Sequence, residues 1–283
     1  MSLRESVMPV MQVRLALGAL LASAILVPSA HAQPSPAPAG PPTTRLPGYL
    51  TADQVADSIK VVGPPPAAGS GALAGDVQTY EATRRLDGTP RWALALRDHQ
   101  VGPPQMMADF SCAMGMALTP QSAPLTFRLF SRLLADSAQA FTPAKDFYKR
   151  PRPFVEKGGK VCLADPDRDL MAKTWSYPSA HSTYGWLAGL VMAQIAPGRA
   201  TALLARARSY GESRVVCGVH YESDIQAGRL AASGVFAAEQ TSAGFIADVQ
   251  AARTELAQLQ THPVAPDPAE CAVEAEASNN PVW

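Results

Sequence analysis

Three short blocks of this sequence carry residues whose types and spacing suit chemistry on an anion. The first reads Ser213-Arg214, the five residues VVCGV, His220, the three residues YES, then Asp224. The second is Lys145, six intervening residues, then Arg152-Pro153, within AKDFYKRPRPF; the third is Pro178-Ser179-Ala180-His181 within WSYPSAHSTYG. Brought together they would supply two histidines, a carboxylate, three cations and a hydroxyl. That set suits a phosphoryl group. A phosphomonoester is a dianion, and the metaphosphate-like state through which its phosphoryl group passes needs fixed positive charge and hydrogen-bond donors around its equatorial oxygens. Lys145, Arg152 and Arg214 can provide them without a metal, arginine as a planar fork and lysine as a point charge, while Ser179 adds a neutral donor. In-line displacement also needs a nucleophile on one side of phosphorus and an acid on the other, and histidine can serve as either near neutral pH. Asp224, four residues beyond His220, shares its face if the segment is helical and can fix the imidazole tautomer, leaving the other nitrogen free to attack.

Taken singly, each block has a plainer reading. Lys145 to Arg152 alone is a solvated basic run. Pro-Ser-Ala-His alone is a helix start, since serine before an apolar stretch caps helices. His220 and Asp224 at i,i+4 alone are a surface pair or half a metal site. The order and internal spacing of all three in one chain favour the joint reading.

The three blocks resemble those of the class A bacterial non-specific acid phosphatases, in the phosphatidic acid phosphatase type 2 and vanadium haloperoxidase superfamily, over residues 64–244. The resemblance implies that His220 is a nucleophile forming a phosphohistidine, that Asp224 orients it, and that His181 protonates the leaving oxygen and then activates water. It implies phosphoryl-oxygen binding by Lys145, Arg152, Ser179, Arg214 and the amide of Ala180. Ala180 departs from the pattern, which usually has glycine there; alanine keeps the amide but does not adopt positive φ cheaply. The implied activity is metal- and cofactor-independent hydrolysis of small phosphate monoesters, with broad substrate range, possible transfer to alcohols, and a homo-oligomeric assembly. Rival readings are a vanadate-dependent haloperoxidase using the same cradle, a lipid phosphatase, which would carry membrane spans, and a periplasmic phosphate-binding module, which would have no use for two histidines and an orienting carboxylate.

These residues need elements to position them. Residues 1–32 read as a secretory signal peptide: Arg4 and Arg14 precede the apolar stretch LALGALLASAILV, and Ala30-His31-Ala32 suits cleavage. The expected location is periplasmic or secreted, with no membrane segment after processing. Removing Arg4, Arg14 and Glu5 from a chain of 24 basic and 24 acidic residues leaves a net charge near −1, which gives no electrostatic case for a nucleic-acid partner. Residues 33–48 read as a proline-rich flexible leader, 49–260 as one all-α phosphatase domain and 261–283 as an acidic, proline-containing tail.

Within the domain, a short helix capped by Thr51 is expected over 49–59. Helical patterning continues over 77–99 with an interruption at Gly88 and Pro90, then over 106–118 and over 124–140. The last of these presents Leu125, Phe127, Leu129, Phe130, Leu133 and Leu134 to the core. From His181 the sequence is apolar nearly all round, which marks a central buried helix. Further helices are expected over 199–214, 221–238 and 244–259. The site is expected at converging helix ends, with the helix N-terminus at Ser179 offering amides to an anion. His99 reads as a capping or surface histidine. Cys112, Cys162, Cys217 and Cys271 suggest disulfides in an exported chain, with three possible connectivities; no CxxC or His-rich spacing suggests zinc. Cys162 with Cys217 is favoured because they adjoin blocks that must meet, leaving Cys112 with Cys271.

Overall fold

A computed structural model describes residues 46–283; the proposed signal peptide and most of the leader lie outside them. No strand occurs among the described residues, and the fold is all-α, as expected. Its helices run α1 (Ser58–Val62), α2 (Gly71–Thr83), α3 (Pro90–Arg97), α4 (Pro103–Met114), α5 (Pro124–Tyr148), α6 (Pro153–Glu156), α7 (Asp165–Ala172), α8 (Ala180–Ile195), α9 (Ala200–Val216), α10 (Glu222–Glu239), α11 (Ala243–Leu259) and α12 (Pro268–Asn279).

The bundle is arranged around α8. Its sequence AHSTYGWLAGLVMAQI has almost no polar side, so it must be enclosed, and α9, α10, α5 and α11 enclose it. Leu187, Ala188, Val191 and Met192 are fully buried. Helix α5 buries Thr126, Leu129, Phe130, Leu133, Asp136, Ser137, Ala140 and Ala144, a spacing of three and four that keeps one face inward. Each large apolar side chain in that face contributes about 1.5–3 kcal/mol by leaving water. Leu125 lies outside the stripe and is exposed, while Phe127 and Leu134 pack only at its margin. The helix also runs past Ala140 to Tyr148, through an internal proline, Pro143, so that Lys145 sits on its last turn.

The expected helix over 49–59 is replaced, up to residue 57, by a docked segment of bends at Tyr49 and Leu50 and a turn over 52–54. Asp136 accepts the backbone N–H groups of Tyr49 (2.7 Å) and Leu50 (3.2 Å), and Arg132 donates to the Pro47 and Gly48 carbonyls. Those bonds commit the Tyr49 and Leu50 amides to a side chain instead of a helical turn, and α1 starts only at Ser58, capped by Asp57 and not by Thr51. At the other end, residues 261–283 include α12, capped by Asp267 and packed on α9, α3 and α4. Cys271 on α12 is bonded to Cys112 on α4, and Cys162 to Cys217. The Cys162–Cys217 pair lies in a second small core with Trp92, Phe154 and Val219, to which the middle of the first block itself contributes.

Candidate active site

The end of α9 and the start of α10 set the first block. Arg214 lies in the last turn of α9. The turn beyond it closes with Gly218 N–H on the Val215 carbonyl (2.9 Å) and Val219 N–H on the Arg214 carbonyl (3.1 Å), a paired C-terminal cap that needs the left-handed backbone of Gly218, φ 88°. Arg84 seals the same end, donating to the Val215 (2.6 Å) and Val216 (2.7 Å) carbonyls. The chain thus reverses within a few residues and delivers His220 one residue before the Tyr221 cap of α10, where Asp224 closes a capping box onto the Tyr221 amide at 2.9 Å.

The third block meets this one at the N-terminus of α8. Ser179 caps that helix, its Oγ accepting from the Ser182 amide at 3.2 Å, and its own N–H donates to the Asp224 carbonyl at 3.0 Å. Ser182 Oγ donates to the Ile225 carbonyl at 2.9 Å. Such an approach is open only because position 228 is glycine: a Cβ there would sit 2.7 Å from the Ser179 carbonyl oxygen and 2.9 Å from Ser182 Cβ. Ala180 occupies the first helical position of α8, and Lys149 is the sole non-glycine residue with positive φ among the described residues. The geometry therefore asks nothing of residue 180 that alanine cannot give. The amides of Ala180 and His181 belong to the first turn, where no intrahelical partner exists.

The second block arrives from the end of α5. Lys145 Nζ donates to the carbonyls of Pro178 (2.7 Å) and Trp175 (2.9 Å) beside the α8 start. Lys149 then turns the chain out of the helix, and Arg152 enters buried, donating to the Val219 carbonyl (2.8 Å), the Met171 carbonyl (3.0 Å) and Thr174 Oγ1 (2.9 and 3.1 Å).

The protonation pattern of His220 follows from its partners. Arg152 Nη1, which can only donate, lies 3.0 Å from His220 Nε2, so that nitrogen presents its lone pair. Nδ1 then carries the proton and donates it to Asp224 Oδ2 at 3.1 Å. Burial, then the charges of Arg152, Lys145 and Arg214, keep the His220 imidazole neutral well below its ordinary range. His181 is lowered likewise by burial and by Arg214; its Nε2–H donates to the His99 carbonyl at 3.0 Å. Burial and Arg152 bring Lys145 down to about 7. Arg152, by burial and Arg214, and Arg214, by burial, are each lowered to about 10. Three basic groups crowded in a dry space strain one another, and a bound dianion would relieve all of them.

All the residues of the three blocks converge, but the site contains more than they do. Arg150 was not singled out from the sequence. It is buried and bridges Asp224 Oδ1 (2.7 Å) and Asp76 Oδ2 (2.8 Å), with its guanidinium 4.2 Å from the Tyr221 ring centre. Asp224 itself is fully buried, and burial raises its carboxyl above the ordinary carboxylate range against the opposing charge of Arg150. The one available signal for Arg150 was its place inside KRPRPF, two residues before Arg152. His99 is no surface cap: half-buried, it lies in the site, its ring stacked on His181 at 5.8 Å and its Nδ1 3.1 Å from Arg214 Nη2. No spacing rule ties position 99 to the blocks, so sequence reasoning had nothing by which to place it.

A helical bundle that gathers two histidines, an aspartate and three cations at one helix start defines a class, and residues 125–241 match the family model described as the PAP2 superfamily, to which the chain belongs. Its relatives narrow the class. An acid phosphatase of Zymomonas mobilis subsp. mobilis is 38% identical over 221 residues, covering 78% of this chain and 83% of the relative. Non-specific acid phosphatases of Providencia stuartii and Salmonella typhimurium are each 35% identical, over 213 and 194 residues, covering 75% and 68% of this chain and 86% and 77% of theirs. The protein is an acid phosphatase, a hydrolase of phosphoric monoesters. No helix among the described residues is long and apolar enough to cross a membrane.

Proposed function

We propose that the protein is an exported acid phosphatase of broad substrate range that works without a metal, through a phosphohistidine on His220. The observation that carries this reading is the tautomer imposed on His220: Asp224 holds Nδ1–H, so the Nε2 lone pair faces the guanidinium of Arg152, where a phosphoryl group would be held. In the first step Nε2 forms a bond to phosphorus as the P–O bond to the leaving group breaks, and His181, protonated on Nδ1 when the dianion is bound, transfers that proton to the departing oxygen and becomes neutral. In the second, neutral His181 takes a proton from water, the water oxygen bonds to phosphorus, the N–P bond breaks, and inorganic phosphate leaves. Lys145, Arg152, Arg214, Ser179 and the amide of Ala180 hold the equatorial oxygens as charge redistributes. An alcohol in place of water in the second step would give phosphotransfer. Two disulfides suit an oxidising compartment, which supports export to the periplasm or beyond.

Rapid quenching after mixing with labelled p-nitrophenyl phosphate in EDTA should trap an acid-labile, base-stable phosphoenzyme. His220→Ala should form none and lose turnover by at least about a thousandfold, the scale expected for a nucleophile. An intermediate that persists in His220→Ala would refute the assignment, and turnover that vanishes in EDTA and returns with a divalent metal would refute metal independence.

A further inference from the structure

Arg214 is fully buried, yet its Nε and Nη1 have no hydrogen-bond partner among the described residues; the side chain's one bond runs from Nη2 to His99 Nδ1, at 3.1 Å. Arg152, by contrast, is tied to two carbonyls, a hydroxyl and His220. A guanidinium with four rotatable bonds and one tether takes its direction from that tether. We propose that His99 is the positioning residue of the site, a neutral imidazole that aims Arg214 so that its free N–H groups meet the phosphoryl oxygens.

The anchorage of His99 supports the role. Asp98, its neighbour, is buried and receives Arg206 Nη2 (2.6 Å) and Nη1 (3.2 Å), and also Ser213 Oγ–H at 2.6 Å. Two adjacent residues after α3 therefore grip two adjacent residues of α9: Asp98 holds Ser213, and His99 holds Arg214. The His99 carbonyl meanwhile accepts from His181, so one turn sets both the cation and the imidazole on the leaving-group side. The tether works only while Nδ1 has a lone pair. The groups that act on the ring are Arg214 from α9, His181 from α8, Asp167 from α7 and Arg152 ahead of α6. Burial first, then Arg214, brings the imidazole down to about 4, so it stays an acceptor through the working range of an acid phosphatase.

This inference rests on the reading of Arg214 as a phosphoryl ligand, and the two can fail separately. The full-length enzyme and its Arg214→Ala, His99→Leu and His99→Asn variants would be compared by the competitive inhibition constant of inorganic phosphate, the KM and kcat for p-nitrophenyl phosphate, and the thermal midpoint. Leucine fills the space without an acceptor, whereas the amide oxygen of asparagine can stand near the place of Nδ1. His99→Leu should weaken phosphate roughly tenfold, the worth of a hydrogen bond to a charged group, and raise KM more than it lowers kcat; His99→Asn should recover most of that loss. If leucine is not accommodated, as an early thermal midpoint would reveal, His99→Ala supplies the same comparison. Phosphate affinity lost in Arg214→Ala but kept in His99→Leu or His99→Ala would overturn the proposal, as would an asparagine variant no better than the leucine one. Unchanged affinity in Arg214→Ala would instead overturn the parent reading of the site.

Discussion

At the scale of single residues, the site resolves an electrostatic conflict by division of labour. Asp224 is bound on one oxygen by Arg150 and on the other by His220 and the Tyr221 amide, so it can orient an imidazole while buried without ever needing to take its proton. Lys145, Arg152 and Arg214 make no ion pair among the described residues, and in the proposed reading the substrate supplies their counter-charge. Of the three, Lys145 loses its proton most readily, its ammonium having been brought down to about 7 by burial and Arg152. Below that pH the empty enzyme meets the substrate dianion with all three cations charged; above it, Lys145 is neutral. Since kcat/KM reports the free enzyme, it should decline above about pH 7 in the wild type, while kcat declines less because bound dianion restores the charge. Lys145→Arg keeps the charge and should carry that alkaline limb upward by more than one pH unit, the direction set by the higher basicity of guanidinium. Profiles with p-nitrophenyl phosphate at constant ionic strength measure this. An alkaline limb at the same pH in both enzymes would assign it to another group.

Among the elements, the junction of α5, α10 and the segment at Tyr49 carries a buried carboxyl pair that the phosphate chemistry does not use. Asp136 on α5 is occupied by the Tyr49 and Leu50 amides, and Glu239, the last residue of α10, is fully buried near it with no hydrogen-bond donor on either oxygen among the described residues. Burial, then the charge of Asp136, pushes the Glu239 carboxyl up to about 9. Below the ordinary glutamate range, near pH 4.3, both folded and unfolded chains hold the proton, and the pair costs nothing. Between there and about 9 the folded chain keeps a proton that the unfolded chain gives up, so this group's contribution to stability falls as pH rises. Glu239→Gln removes the titration and preserves the shape. Its thermal midpoint should exceed that of the wild type by roughly 5 °C at pH 8, and the gap should close toward pH 4. A gap independent of pH would place the proton elsewhere.

Taken whole, the molecule joins its last helix to the site. Arg206, buried on α9, meets Asp98 at 2.6 Å and Glu274 on α12 at 3.2 Å; Arg97 on α3 also pairs with Glu274. Asp98 leads directly to His99 and Ser213. Helix α12 is thus part of the frame that sets the α3 turn, and the Cys112–Cys271 bond secures it across a sequence separation of 159 residues. A crosslink closing so long a loop removes much of the entropy of the unfolded chain, about 4–5 kcal/mol in the loop-closure view. The double variant Cys112→Ser/Cys271→Ser should melt about 10 °C below the wild type. It should also lose phosphate affinity before global unfolding, as α12 loosens its hold on Arg206. A double variant with unchanged melting temperature and unchanged phosphate affinity would show that packing alone holds α12.

The reaction class and the kind of fold were legible in the residues alone. Histidine, carboxylate and cations at set intervals point to a phosphoryl group because their proton and charge states suit a dianion, and three- and four-residue apolar spacing specifies helices because it matches the helical turn. Whether Leu125 or Thr126 of α5 faced the core, and whether Tyr49 began a helix or docked on Asp136, were settled by partners far along the chain. So were the roles of Arg150 and His99. Each acts through a contact more than seventy residues away in sequence, Arg150 with Asp224 and Asp76, His99 with Arg214 and His181. Short-range patterns record what a residue is and which way its own helix turns. Which side chains meet depends on close approaches between helices, such as α8 against α10 at Gly228, and those exist only once the whole bundle has packed.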